Sequence, residues 1–217
     1  MTIFSARRVT MVDTQVRPSD VTKYPIIAAM LDIRREVFVP EALREAAYMG
    51  ANLPLGPNRV LPEVRTLAKM LDALDVQPSD LVLDIAVGLG YSSAVIARMA
   101  EAVVAVEDDA QTAQEAQMLL SQEGADNAIV FAGPLVAGAA KHGPYDVMLI
   151  QGGVEQIPQS LLDQLKESGR IAALFMEDAV GVCRIGQKID GHIHWRDAFN
   201  AAAPVLPGFA REMVFAL

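Results

Sequence analysis

The stretch from Leu81 to Tyr91 constrains the fold of this chain more than any other. Leu81-Val82-Leu83-Asp84 is a short run of mostly β-forming residues that ends in an acid. Two glycines, Gly88 and Gly90, follow at alternate positions, and Ser92 to Met99 then read as a helix with small and apolar residues facing inward. A strand, a tight turn and a helix in that order open a nucleotide-binding α/β unit. Glycines serve such a turn because a side chain keeps the backbone away from a ligand and resists the angles the turn needs. The next apolar run, Ala102 to Val106, ends in Glu107, 17 residues after Gly90. An acid at the tip of a second strand can accept both hydroxyls of a ribose.

The rest of the chain follows the alternation of a doubly wound sheet. Residues 110–122 carry an amphipathic helical pattern stopped by Gly124, with Asp109 as its N-cap. Ala128 to Phe131 predict a third strand leading into Ala132-Gly133-Pro134-Leu135, and Tyr145 to Ile150 a buried strand whose end, Gln151-Gly152-Gly153, faces the crevice where ligands of such sheets sit. Pro158 suits the first turn of another helix. Arg170 to Phe175 predict a fifth strand, and Asp190-Gly191 between Val182–Ile189 and His192–Trp195 predicts a hairpin. Arg211 to Leu217 is expected to close the sheet. Upstream, residues 1–9 are expected to be a poorly ordered arm. Met11, Val12 and Val16, then Ile26, Ile27, Met30 and Leu31 beyond Pro18, predict two helices, the second halted by Phe38-Val39-Pro40, and Glu41 to Tyr48 predict a third. The fold class expected is α/β: a doubly wound, mainly parallel sheet with a helical N-terminal cap and an antiparallel C-terminal edge. Residues 1–217 then form a single domain, with the cap and a loop in 1–78 and the sheet in 79–217.

Charge and cysteine content limit the partners. A net charge of −9, from 18 basic and 27 acidic residues, argues against nucleic acid or an anionic membrane as partner. The single cysteine, Cys183, permits no internal disulfide, and no apolar run reaches bilayer length, so the expectation is a cytoplasmic protein. Cys183 reads as a packing residue without a base beside it. His192 and His194 share one face of a strand as paired metal ligands do, but nothing nearby completes a set, and no metal is expected.

The frame acid-x-small-x-Gly-x-Gly over Asp84, Ala86, Gly88 and Gly90 resembles the first motif of S-adenosylmethionine-dependent methyltransferases, in which the first small residue is normally glycine. Met11-Val12, Gln15-Val16-Arg17, Ala29-Met30, Val37-Phe38-Val39-Pro40, Ala47-Tyr48 and Leu53-Pro54-Leu55-Gly56 are similar to the N-terminal region of protein-L-isoaspartate O-methyltransferases. The similarity continues through Pro144-Tyr145-Asp146, Ile157-Pro158, Leu161-Leu162-Asp163-Gln164-Leu165-Lys166 and Gly169-Arg170, covering roughly residues 11 to 175. The resemblance implies a Rossmann-like methyltransferase fold and methyl transfer from S-adenosylmethionine to the carboxylate of an altered aspartyl residue in a damaged protein or peptide. It implies a cofactor site at Asp84, Ala86, Gly88, Gly90, Glu107, Gly133 and Gln151, and an acceptor site along Leu55, Arg59, Val60, Leu61 and Pro62.

Besides Ala86, other positions depart from the family pattern. After the Leu-Pro-Leu-Gly run members usually read Gly-Gln-Thr-Ile-Ser, with the serine near the acceptor carboxylate. Here Val60 stands at the threonine position and Pro62 at the serine position, and proline offers neither hydroxyl nor N–H. Arg59 either holds a carboxylate bidentately in their place or is a solvated loop residue. Pro134 stands where an aspartate normally accepts from the adenine amino group. Two readings follow. One is an active isoaspartyl methyltransferase with weak cofactor binding; the other is a catalytically impaired relative that serves as a binding module or adaptor, or transfers methyl to another small acceptor.

Overall fold

The computed structural model describes residues 3–211. At its centre is a seven-stranded sheet built from β3 (Leu81–Ile85), β4 (Ala102–Glu107), β5 (Ala128–Ala132), β6 (Tyr145–Val154), β7 (Leu165–Glu177), β8 (Val180–Ile189) and β9 (His192–Asn200), in the order β5-β4-β3-β6-β7-β8-β9. The first five of these strands in that order pair in parallel, and β7-β8-β9 form an antiparallel edge. The order reverses between β3 and β6, so the carboxyl ends of those two strands flank the crevice where doubly wound sheets bind ligands.

Period-two alternation splits the core between the two faces of the sheet. Val82, Val103, Val147 and Leu149 join the side packed by the N-terminal helices, whereas Leu83, Ile85, Val104, Met148 and Ile150 join the other side with Leu161, Leu165 and Phe209. On the first side lie α1 (Ile3–Met11), α2 (Tyr24–Asp32), α3 (Val64–Leu74) and α4 (Tyr91–Ala97). The helix α3 repeats apolar residues at helical spacing, so Val64, Leu67, Ala68, Met70, Leu71 and Leu74 all become buried, each large one contributing about 1.5–3 kcal/mol. It stops where Asp75 turns left-handed at φ 50°. The fifth helix, α5 (Ala110–Gln122), keeps the predicted bounds, and Asp109 caps it by accepting from the Thr112 amide at 2.7 Å. Pro158 directly precedes α6 (Gln159–Leu162).

The N-terminal region differs most from expectation. Residues 3–9, expected within a poorly ordered arm, belong to α1, which buries Met11 and pairs Arg7 with Glu45 at 2.6 Å. The expected first helix continues as a π-helical turn, Val12–Val16, and a 3-10 turn, Arg17–Ser19. The second ends at Asp32 instead of at Phe38, because Ile33 is extended and a 3-10 turn over Arg35–Val37 carries Arg35 into the interior. The third is a 3-10 stretch, Glu41–Ala46. Where a loop is expected, a two-stranded hairpin, β1 (Leu53–Gly56) with β2 (Arg59–Leu61), forms a sheet separate from the main one. The predicted closing strand over 211–217 lies outside the described residues apart from Arg211, which belongs to no strand. No helix among the described residues is long and apolar enough to cross a membrane.

Candidate functional site

The turn after β3 starts with backbone strain. Ala86 has φ +63°, a left-handed conformation that costs a residue with a Cβ about 1–2 kcal/mol and that glycine adopts freely. The position normally held by glycine is therefore one where the backbone still asks for it, and Ala86 is kept there by its amide donating to the Val106 carbonyl at 2.9 Å. Gly88 follows at φ +56°, and a Cβ there would lie 2.5 Å from the Leu55 side chain. Gly90, at φ +96°, faces α5 instead of the crevice, since a Cβ would meet Leu120 at 3.4 Å. The two motif glycines thus serve different needs: Gly88 admits close approach from β1, and Gly90 lets the turn enter α4 against α5.

Asp84 sits fully buried below the turn. It accepts from Ser92 Oγ at 2.6 Å, Ser93 Oγ at 2.7 Å and Gln151 Nε2 at 2.9 Å. Burial pushes its carboxyl up to about 6, against the pull of those three donors. The folded form therefore holds a proton between about pH 4 and 6 that the unfolded chain has lost, so Asp84 contributes stability at low pH that disappears as pH rises through 6. Urea unfolding of the wild type and Asp84→Asn is expected to show their stability difference shifting against the wild type by roughly 2–3 kcal/mol between about pH 4 and 7.

Gln151, at the carboxyl end of the straight part of β6, links Asp84 to the crevice. The residue is 3% exposed, and while Nε2 donates to Asp84, its Oε1 has no partner among the described residues. An unpaired buried acceptor costs about 1–3 kcal/mol, so it is a place where a ligand donor is favoured. The adjoining Gly152 and Gly153 do not line the crevice as expected. A Cβ on Gly152 would lie 2.6 Å from Leu206 and one on Gly153 2.5 Å from the Ala203 carbonyl, so these glycines admit the 203–206 segment, which pairs with β6 at Gly153.

Glu107 and Arg59 form the charged centre. Glu107 is buried, which raises its carboxyl above the ordinary range even though Arg59 pulls it down. Arg59 Nη1 donates to Glu107 Oε1 at 2.7 Å while Nη2 reaches Oε2, a bidentate pair, and Nη1 also bonds Asp108. The Gly88 amide donates to Glu107 Oε2 at 2.7 Å and the Asp108 amide to Oε1 at 3.1 Å. A cavity of about 240 Å³ lies against this group, lined by Leu55, Gly56, Arg59, Gly88, Glu107 and Thr112 among others. Arg59 is neither a solvated loop residue nor free to take an acceptor's carboxylate here: the carboxylate it holds is the chain's own Glu107.

The remaining predicted residues divide between the crevice and its support. Gly133 continues from β5, its amide bonded to the Glu107 carbonyl at 2.9 Å and its Cα facing open space, with Pro134 exposed beside it. Val60 is half-buried, and Leu61 and Pro62 are buried. The Pro62 carbonyl accepts from Arg35 Nη2 at 2.8 Å, and Arg35 Nε donates to the Ala47 carbonyl at 2.8 Å. The Arg35 guanidinium lies over the Tyr91 ring, 4.6 Å from its centroid, so one buried cation ties the end of the hairpin to the first residue of α4. Sequence reasoning missed Arg35, because it stands in the charged run Arg34-Arg35-Glu36, where nothing local marks one arginine as the buried one. Cys183 is buried, its thiol pushed up to about 12, as a packing residue would be. His192 and His194 lie exposed on the edge strand β9.

The chain is similar over most of its length to one family of known proteins. The family described as protein-L-isoaspartate(D-aspartate) O-methyltransferase matches residues 7–198. A protein-L-isoaspartate O-methyltransferase of Syntrophus aciditrophicus (strain SB) is 35% identical over 191 residues, 86% of this chain and 88% of the relative. That of Gloeobacter violaceus is 35% identical over 161 residues, 74% of this chain and 78% of the relative. Among solved structures, a protein-L-isoaspartate O-methyltransferase superposes with a TM-score of 0.81 at 22% identity, covering 93% of this chain and 66% of that one. A Plasmodium falciparum structure, described as a protein of the same kind in complex with S-adenosyl-L-homocysteine, gives 0.79 at 16% identity over 95% of this chain and 99% of its own.

Proposed function

The chain belongs to the protein-L-isoaspartate O-methyltransferase family, and from that premise we propose that it methylates an isoaspartyl carboxylate of damaged proteins or peptides, with S-adenosylmethionine as methyl donor. The observation that carries this reading is the set of groups at the β3, β4 and β6 strand ends. Glu107 lines the cavity beside Gly88 with its carboxylate, and Gln151, on the neighbouring strand β6, carries a buried oxygen without a partner among the described residues. A carboxylate suits a ribose diol, and a lone acceptor suits a donor such as an ammonium or amide. Glu107, Gly88 and Gln151 are the residues that would hold the cofactor, with Asp84 fixing Gln151 from beneath. Bound there, the cofactor supplies an electrophilic methyl group.

What the protein must add is alignment. An acceptor carboxylate is already a nucleophile and needs no general base, so the residues around it act by positioning. Val60 and Pro62 supply no hydroxyl toward it, which leaves fewer contacts to hold an acceptor oxygen in line, and a misplacement of that kind costs on the order of 100-fold. Activity of the wild type on an isoaspartyl peptide is therefore expected to be slow. Pro62→Ser with Val60→Thr is expected to raise it, and Pro134→Asp to tighten cofactor binding without changing the chemical step. A radiolabelled methyl-transfer assay on the three proteins, paired with calorimetric titration of S-adenosylhomocysteine, tests both. Cofactor binding with no methyl transfer by any variant would favour the reading in which the chain is a binding module, for which the departures at Ala86, Pro62 and Pro134 already speak.

A further inference from the structure

The cofactor residues and the hairpin compete for the same carboxylate. Both oxygens of Glu107 are occupied by Arg59, whose side chain is 13% exposed while that of Glu107 is 2% exposed. The hairpin that carries Arg59 also presses Leu55 onto Gly88, and the cavity left between them, about 240 Å³, is smaller than the 300–1,000 Å³ of ordinary small-molecule sites. A nucleoside-sized ligand on Glu107 thus requires the hairpin to lift and the Arg59 guanidinium to leave. Once it leaves, one guanidinium with its fork open stands on β2, three residues before Pro62, on the side of the crevice where the acceptor hydroxyl is missing. Asp108 still holds only one of its nitrogens.

We propose that Arg59 is a positioning residue that exchanges partners: it latches the β1–β2 hairpin shut on Glu107, is displaced when a ribose diol takes that carboxylate, and then holds the carboxylate of the acceptor. This rests on the function proposed above. Cofactor binding and acceptor binding are then coupled in a fixed order, cofactor first, because the group that recognises the acceptor is sequestered until the cofactor is in place. The acceptor site gains its cation only in the loaded protein, which replaces by charge what Val60 and Pro62 lack in hydroxyls.

Population-shift arithmetic sets the expected size. A latch closed in 90–99% of molecules weakens the apparent affinity about 10- to 100-fold. Titration of S-adenosylhomocysteine is expected to show binding tightened about 10- to 100-fold in Arg59→Gln, and by an intermediate factor in Arg59→Lys, whose ammonium cannot make the bidentate pair. Hydrogen exchange of the 53–61 amides in the ligand-free protein is expected to speed up about tenfold or more in Arg59→Gln. An isoaspartyl peptide is expected to bind the wild type at least about tenfold more tightly with S-adenosylhomocysteine present than without it, and that difference is expected to vanish in Arg59→Gln. S-adenosylhomocysteine affinity that is unchanged or weaker in Arg59→Gln, or unchanged hairpin exchange, overturns the latch, and peptide binding in the wild type that ignores the cofactor overturns the hand-over. Absence of S-adenosylhomocysteine binding in all three proteins overturns the proposed function together with the exchange built on it; binding without tightening overturns the exchange alone.

Discussion

Replacing Glu107 by alanine in an Arg59→Gln background is expected to weaken S-adenosylhomocysteine binding by about 100-fold or more. Each hydrogen bond to a charged acceptor contributes about 1.5–3 kcal/mol, and a ribose diol makes two, so about 3 kcal/mol is the lower bound of the loss. The background matters because Glu107 has two roles. In the wild type the same substitution removes the ribose acceptor and also frees the hairpin from Arg59, and the two effects oppose each other in a titration. Glu107→Ala alone is expected to lower stability by about 3 kcal/mol, since it leaves the Arg59 guanidinium and the buried Gly88 amide without their acceptor. Calorimetric titration and urea unfolding separate the two roles. Equal cofactor affinity in Arg59→Gln with and without Glu107 would remove Glu107 from the cofactor site.

Arg35→Ala is expected to destabilise the fold by about 3–5 kcal/mol. The side chain is wholly buried and has no carboxylate partner among the described residues; burial lowers its pKa. Its favourable contacts are the carbonyls of Ala47 and Pro62 and the face of Tyr91. Truncation strands two buried carbonyls at about 1–3 kcal/mol each and opens a large cavity, offset in part by relief of a buried charge. Arg35→Met fills most of the space without donors, and is expected to recover part of the loss but remain about 2 kcal/mol below the wild type. Unfolding can be followed by Trp195, the single tryptophan, which packs edge-on to Phe175 at 4.9 Å. Full recovery in Arg35→Met would mean that the side chain acts by volume and that its carbonyl bonds add nothing.

The sheet and most of its helices were legible in the sequence for a local reason. Strand, turn and helix from Leu81 to Ala97, the helix Ala110–Gln122 with its Asp109 cap, and the hairpin at Asp190-Gly191 are each specified by periodicity and turn chemistry within about a dozen residues. The acidic residues Asp84 and Glu107 were found the same way, because a strand end is a local feature and the parallel sheet then brings the two ends together. The N-terminal cap was read less well, since its π and 3-10 turns are imposed by packing against α3 and the sheet and have no period of their own.

What only the tertiary structure decided is which partner each site residue takes. The sequence presented Arg59 as a cation able to hold some carboxylate, but its partner lies 48 positions away on β4, and nothing near either residue names the other. Gly152 and Gly153 looked like crevice glycines until the 203–206 segment came to rest on them, and Gly90 proved to serve α5. Ala86 shows the two levels acting on one residue. The motif marks the position as one for a small side chain, and the folded backbone, at φ +63°, shows the strain that a single methyl group carries there. Periodicity and turn residues act over a few positions and so can be read along the chain; ion pairs, close approaches and buried donors join residues far apart in sequence, and exist only once the fold has brought them within bonding distance.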